Sequence, residues 1–319
     1  TKPSAWRYRD YVIRAFNEDK PFDRFVMEQL AGDELADTDQ ETMIATTFYR
    51  LGPWDDEPAD PQQDRFDQLD DMVRTTSQVF LGLTMGCARC HNHKFEAISM
   101  HDYYRMVAIF NTLKRPQSGR TELDVPVGTH QERETLQWRN QIIQKIELQK
   151  QQLIQNRLTT WMKQQPDPSD PDLLTALRTQ TGKRTAEQKR LVTKYAQSAL
   201  SGKDKKRLSE WDSAIEALRK ATEDLPLAYV MQELSPTPPK THLLMRGRAS
   251  TPGPVVQAGF PAVLVSRQPT FTVDTDRTSQ QRKTLADWIA SSSNPLTARV
   301  AVNHVWLRHF GEPLVESVD

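Results

Sequence analysis

The chain contains only two cysteines, and both lie in the segment Cys87-Ala88-Arg89-Cys90-His91. Two thiols about one helical turn apart can add across the two vinyl groups of a haem, and an imidazole directly after them can bind the iron. The spacing therefore predicts one covalently attached haem c. Its thioether bonds would form at Cys87 and Cys90, with His91 as the proximal iron ligand.

The same two cysteines allow two other interpretations. Together with His93, Cys87 and Cys90 resemble part of a structural zinc site, which normally has four ligands. The sequence has no second cysteine pair, and its other histidines form no compact pair at zinc-site spacing. A redox disulfide normally follows a β-strand, whereas an amphipathic helix is predicted before these cysteines. Beside a haem, His93 is expected to be a supporting contact rather than a ligand.

The ligand on the far side of the haem iron determines the chemistry. A methionine or a second histidine there gives an electron carrier, whereas an open position allows a small molecule to bind. Spacing alone does not select one residue for this position. The candidates are Met100, His101 and His309, followed by Met106 and His130.

Composition argues against several classes of protein. The 319 residues include 42 basic and 42 acidic side chains, so no overall charge attracts nucleic acid or an anionic membrane. No apolar run approaches the roughly 20 residues of a membrane-spanning helix. A phosphate-binding loop, a nucleophile elbow and an HExxH helix are also absent from the sequence. An export signal is expected to have been removed or to lie outside this sequence.

The cysteine segment is expected to lie between two helices. Apolar residues recur at three- and four-residue steps from Phe66 to Leu83, which predicts a long amphipathic helix that ends just before the cysteines. A second helix is predicted over residues 103–113. Nearer the amino terminus, Pro21 is expected to divide a helical hairpin over residues 6–30, and another helix is predicted over 41–50.

The whole chain is predicted to be mainly α-helical, in four parts. These are a helical haem-binding domain (1–125), a long helical hairpin or coiled-coil arm (126–225), a small β-containing element (226–275), and the start of a second helical domain (276–319), which is expected to be incomplete. The arm helices are predicted at 131–164, 185–200 and 203–221. The strands are predicted at 228–234, 241–246 and 262–265, and the last helices at 280–291 and 296–310.

An acidic loop precedes the long helix. Its carboxylates are Asp55, Asp56, Glu57, Asp60 and Asp64, and oxygen ligands at this density suit calcium. Their spacing does not match the helix-loop-helix calcium motif. A solvated loop whose carboxylates stabilise the following helix terminus is the simpler interpretation.

Four segments carry a resemblance to known families. The segments WRYRDYVIRAFNEDKPFDRFVMEQLAGDEL, LGPWDDEPADPQQDRFDQLDD and FLGLTMGCARCHNHKFEAISMHDYY resemble the planctomycete-type cytochrome c domain called DUF1549 or PSCyt2, over residues 5–115. The segment RKTLADWIASSSNPLTARVAVNHVWLRHFG resembles the start of the companion domain DUF1553 or PSD1, over residues 280–319.

The resemblance implies an exported, multidomain protein of Planctomycetes and their relatives, often with a further CxxCH module upstream. It puts haem attachment on Cys87 and Cys90 and iron binding on His91. The expected function is electron transfer, or part of a haem-dependent oxidoreductase, in the periplasm or at the cell surface, with a redox partner protein. The alternatives are a zinc-stabilised interaction module and a haem protein that oxidises a polysaccharide.

Other positions of the family pattern are matched only in part. Residues 93–95 and His309 agree with it. Residues 96–97 are Glu-Ala where such proteins commonly have Asp-Pro, which predicts a looser turn after the cysteine segment. His304 stands where they commonly have arginine, which argues against a family-wide role for this histidine.

Overall fold

The chain is mainly helical. The computed structural model describes residues 4–118, 121–164, 171–271 and 277–316. These residues form eleven α-helices and four two-stranded antiparallel sheets. The chain divides into two compact units, Thr1–His130 with Pro226–Asp319 in the first and Gln131–Leu225 in the second. Within the described ranges, no helix has the length and apolar character needed to span a bilayer.

Most helices lie where the apolar periodicity predicts them. In chain order they are α1 (Trp6–Asn17), α2 (Phe22–Ala31), α3 (Gln40–Ala45), α4 (Pro61–Leu81), α5 (Met100–Phe110), α6 (His130–Lys163), α7 (Pro171–Arg178), α8 (Ala186–Ala199), α9 (Gly202–Ala221), α10 (Gln281–Ala290) and α11 (Thr297–Phe310). The sequence pattern missed α7, because its prolines indicate a helix end. Pro171 instead occupies the first helical position, where its fixed φ is compatible with a helix.

The strands are short. In chain order they are β1 (Leu113–Lys114), β2 (Gln117–Ser118), β3 (Thr121–Glu122), β4 (Val125–Pro126), β5 (Leu227–Ala228), β6 (Gln232–Glu233), β7 (Thr241–Leu244) and β8 (Pro252–Val256). β6 pairs with β1, and β5 pairs with β4. Two strands of the region 226–275 are therefore paired with strands of the region 1–125 or the residue after it. The strand predicted at 262–265 is instead a 3-10 turn, Ala262–Leu264, and short apolar runs of this kind do not distinguish the two.

The main apolar core lies between α2, α4, α5 and α10. Leu285, Ala286 and Ile289 on α10 are fully buried in it, and the ring of Trp288 stacks on Phe260 with ring centroids 4.5 Å apart. α10 packs mainly against α2 and also contacts α5. The segment predicted to start a second domain at residue 276 therefore contributes to the core of the first unit.

A buried arginine joins α10 to the residues just after α2. The guanidinium of Arg282 donates to both carboxylate oxygens of Asp33, at 2.7 and 2.9 Å. It also lies 3.2 Å from the carboxylate of Glu34 and 3.8 Å from that of Glu233. All four side chains are almost completely buried. Three carboxylates therefore face one guanidinium inside the core.

The second unit contains α6, α7, α8 and α9. Three ion pairs relate α6 to α9 and the residues just after it: Arg139–Asp224, Lys150–Asp212 and Arg157–Asp204. Because the numbers rise along α6 as they fall along its partner, the two helices run antiparallel. Leu158, Leu173 and Val192 form an apolar cluster where α6, α7 and α8 meet. That this region acts as a coiled-coil arm stays a prediction.

Candidate cofactor attachment site

The backbone turns sharply between α4 and the first cysteine. Gly82 follows the last residue of α4 with φ +62°, a left-handed conformation that side-chain-bearing residues rarely adopt. The Leu83 amide donates to the Ser77 carbonyl at 3.1 Å, which closes the helix end. The chain then forms a 3-10 helix, Met85–Arg89, which contains the first cysteine.

The 3-10 helix separates apolar from reactive side chains. Residues three apart lie on the same side of such a helix. Met85 and Ala88 are fully buried in the core, whereas Cys87 and Cys90 are exposed free thiols. Two sulfurs three residues apart are thus available at the surface, as addition to two vinyl groups requires.

Arg89, between the two cysteines, fixes this segment to α4. Its guanidinium is hydrogen-bonded to Asp67 and lies 3.3 Å from the carboxylate of Asp70. Partial burial acts to lower the pKa of Arg89, but the hydrogen bond to Asp67 and the charge of Asp70 raise the pKa on balance. The Tyr104 hydroxyl donates to the Arg89 carbonyl at 3.1 Å. The backbone between the cysteines is therefore held from two sides.

His91 is exposed and its ring is oriented by one hydrogen bond. Its Nδ1 lies 2.7 Å from the carbonyl oxygen of Asn92. A carbonyl can only accept, so the proton is on Nδ1 and Nε2 keeps a free lone pair. This is the tautomer that a metal-binding imidazole adopts when a backbone carbonyl holds its other nitrogen.

His93 is engaged differently. Its Nδ1 accepts from the Glu96 amide at 2.9 Å, and its Nε2 lies 3.3 Å from the Thr84 hydroxyl. Both ring nitrogens therefore organise the loop after the cysteines. The zinc interpretation needs this imidazole as a ligand, and the described residues contain no group of three or more His, Cys, Asp or Glu side chains placed to hold a metal ion.

The candidates for the second iron ligand lie in different surroundings. Met106 is fully enclosed in the core, and His130 is hydrogen-bonded to a backbone carbonyl. Met100 and His101 begin α5, directly after the loop that carries His91, and His101 is exposed. His309 is exposed near the end of α11.

A small cavity lies beside Cys87. Its volume is about 170 Å³, and Arg74, Gln78 and Leu83 contribute to its lining. Pockets that enclose a small-molecule ligand have volumes of roughly 300–1,000 Å³. The thiols and the free His91 nitrogen fit a haem chemically, but this cavity is too small to enclose one. A haem attached here would therefore lie against the surface of the protein.

The turn between β7 and β8 packs against one side of the second cysteine. A Cβ atom at Gly247 would lie 2.7 Å from the Cys90 sulfur and 3.2 Å from Cγ of Arg89. The φ of Gly247 is +70°. The Tyr104 hydroxyl also lies 3.4 Å from the carbonyl oxygen of Leu244, at the end of β7. Gly247 was not predicted as a site residue, because its only local signal is its position after a predicted strand.

The acidic loop contributes helix capping. Asp60 caps α4 by accepting from the amides of Gln62 and Gln63, both at 3.0 Å. The Asp55 carboxylate accepts from the Glu57 amide at 2.9 Å. These contacts agree with a loop that stabilises a helix terminus. They do not add evidence for calcium.

Fold and site define a mainly helical protein with a surface CxxCH segment. The family model PSCyt2, described as a protein of unknown function (DUF1549), matches residues 1–115. The family model PSD1, described as a protein of unknown function (DUF1553), matches residues 281–319. Both matches fall on the segments that carry the resemblance in the sequence. No curated protein and no solved structure matches it.

Proposed function

We propose that this chain is a c-type cytochrome domain with one covalently bound haem c, active in electron transfer or as part of a redox enzyme outside the cytoplasm. One observation carries the proposal. Cys87 and Cys90 are exposed free thiols on one short turn, and the adjoining His91 has a free Nε2. A bound haem would supply one-electron chemistry.

The residues of the chain would position and support that group. The contacts of Arg89 with α4 hold the backbone between the sulfurs, so both thiols have defined positions. The Asn92 carbonyl keeps the proton of His91 on Nδ1, which makes Nε2 a better ligand for iron. If haem is bound, His91 would hold the iron, and the identity of the second iron ligand would determine whether the protein carries electrons or binds a small molecule.

Expression in a bacterium that matures c-type cytochromes tests this function. We expect one haem per chain in the reduced pyridine haemochrome spectrum, and haem that stays with the protein in denaturing electrophoresis. Cys87→Ser combined with Cys90→Ser is expected to abolish both signals. A colourless wild-type protein with two titratable thiols, from a host that matures other cytochromes, would refute the proposal.

The two neighbouring histidines provide a matched pair of variants. His91→Ala is expected to change the absorbance spectrum of the iron, because it removes the proximal ligand. His93→Gln is expected to leave that spectrum unchanged, because both nitrogens of His93 are already engaged in the loop. An unchanged spectrum in His91→Ala would contradict the assigned ligand.

Gly247→Ala is expected to reduce haem attachment at Cys90. The added methyl group would meet the Cys90 sulfur at 2.7 Å, and a φ of +70° is strained for alanine. Mass spectrometry of haem peptides would count the thioether bonds, and we expect a larger fraction of chains attached through Cys87 alone.

The matched control is Gly311→Ala. Gly311 has φ +83° after α11, but a Cβ atom there would contact nothing within 4 Å. This variant has a similar backbone strain without the contact to sulfur. Equal attachment in the two variants would show that the turn over Cys90 does not restrict the thiol.

A further inference from the structure

Four exposed basic side chains belong to the segments that adjoin the cysteines. They are Arg74, Lys94, Arg246 and Arg248, here called the basic rim. They come from α4, from the loop after His91, and from the turn between β7 and β8. The chain as a whole has 42 basic and 42 acidic side chains, so a positive region here is a local feature.

Arg74 lies beside the first cysteine. Its side chain covers Gly86, where an added Cβ would lie 2.7 Å from Cδ of Arg74, and it lines the small cavity next to Cys87. The side chain is 64% exposed, and its nearest carboxylate, that of Asp70, is 3.8 Å away. The positively charged side chain of Arg74 is therefore mostly exposed to solvent.

Arg246 and Arg248 lie beside the second cysteine. They flank Gly247, whose backbone packs against the Cys90 sulfur, and both are exposed. Lys94 is exposed three residues after His91, with its Nζ 5.0 Å from the centre of the Phe95 ring. In the described part of the chain, none of these three side chains forms an ion pair.

Several carboxylates near the rim interact with arginines. Asp67 and Asp70 share the single, partly buried guanidinium of Arg89, and the half-buried Asp71 interacts electrostatically with Arg74. Glu96 is exposed in the loop after the cysteines, and its amide contributes to the position of His93. Lys94, Arg246 and Arg248 are thus the rim charges that no carboxylate of the described residues neutralises in an ion pair.

We propose that the basic rim is the docking surface for an acidic region of a redox partner protein. This inference rests on the proposed haem at Cys87 and Cys90, because the rim would then border a haem held at the surface. Exposed charges that the fold does not use create a local potential, which steers an oppositely charged partner and orients it during encounter. Exposed side chains without ion pairs contribute little to the stability of the fold. Their positions on the segments that adjoin the thiols suit the binding of an acidic partner.

A four-site variant tests the rim. It combines Arg74→Gln, Lys94→Gln, Arg246→Gln and Arg248→Gln. In the haem-loaded protein, oxidation by hexacyanoferrate(III), an anionic probe, is expected to slow roughly tenfold at low ionic strength. Oxidation by the cationic hexaamminecobalt(III) is expected to become faster. If the variant changes the oxidation rates by the two probes in the same direction and to the same extent, the proposal is wrong.

The control variant removes the same charge elsewhere. It combines Lys203→Gln, Lys205→Gln, Lys206→Gln and Lys220→Gln, all exposed positions on α9. This variant has the same net charge as the rim variant, so an effect of net charge alone would appear in both. Its oxidation rates are expected to stay within about twofold of wild type. A tenfold loss in this variant would assign the effect to net charge and overturn the rim.

A second measurement separates the rim from the haem. Poly-L-glutamate, an acidic polypeptide, is expected to bind wild-type protein even without haem, more weakly as salt rises and more weakly to the rim variant. If the protein is colourless but binds poly-L-glutamate, the proposed haem is refuted and the proposed docking surface is supported. If haem is attached but poly-L-glutamate does not bind, only the docking surface is refuted. Binding to phosphatidylserine vesicles but not to poly-L-glutamate would indicate a lipid surface instead and overturn the proposal.

Discussion

Arg282→Met is expected to lower the free energy of unfolding of the first unit by about 3–5 kcal/mol. The Arg282 guanidinium forms ion pairs with Asp33, Glu34 and Glu233. Among the described residues, no other basic side chain forms an ion pair with these three. Methionine occupies similar space but leaves the carboxylates buried without their cation. Uncompensated buried charge is among the most destabilising changes a core can receive.

Lys283→Met is the matched control. Lys283 is the next residue of α10, and its ammonium group forms an i, i+4 pair with Asp287 at the surface. Such pairs contribute about 0.3–0.5 kcal/mol, so this variant should unfold almost like the wild type. Urea unfolding would give the free energies, and hydrogen exchange of α2 and α10 would localise the change. A loss below about 1 kcal/mol for Arg282→Met would contradict the expected role.

Arg282 also connects the two segments that match the family models. Arg282 lies in the segment that matches DUF1553, whereas Asp33 and Glu34 lie in the segment that matches DUF1549. Glu233 belongs to neither match and completes the cluster. Because the three parts share one buried cluster, the boundary between the family matches does not separate two folding units. Stability of the part of the first unit that carries the cysteines should therefore depend on residues after 280.

Local patterns explain what the sequence predicted well. α4 has apolar residues at helical spacing, a signal that acts within a few residues and predicted the helix. Its bounds, Pro61–Leu81, differ from the predicted Phe66 to Leu83, because Asp60 caps its start and Gly82 ends it. The cysteine segment is equally local, since Cys87, Cys90 and His91 are adjacent in the sequence. Both were therefore readable without knowledge of tertiary contacts.

Long-range contacts explain what the sequence did not reveal. β1 pairs with β6 across more than a hundred residues, and two-residue strands carry almost no alternation pattern. Gly247 meets the cysteine segment although 158 positions separate it from Arg89. Arg282 reads as a surface residue, because charged side chains are rarely buried unless paired, and its partners lie about 250 positions earlier. None of these contacts has a local sequence signal.

The stability of the first unit is expected to fall as the pH rises from 5 to 9. Burial raises the pKa of Glu34 from its ordinary 4.5 to about 8; the charge of Arg282 opposes this rise, and Asp33 and Glu233 add to it. One oxygen each of Glu34 and Glu233 lacks a hydrogen-bond partner, and a proton on Glu34 would let it donate to Glu233. The stabilisation from this neutral carboxyl is complete below pH 4.5 and is lost as the pH passes 8. The expected decrease is on the order of 4 kcal/mol.

Glu34→Gln should remove this pH dependence. Glutamine keeps the shape of the neutral carboxyl and cannot ionise, so the variant is expected to be more stable than the wild type at pH 9 and closest to it near pH 5. Glu41→Gln makes the same substitution at an exposed ion pair with Arg14, and its stability should follow the wild-type curve. Urea unfolding at intervals between pH 5 and pH 9 would measure all three proteins. Parallel curves for wild type and Glu34→Gln would show that Glu34 is already ionised in the folded protein and that Arg282 compensates all three carboxylates.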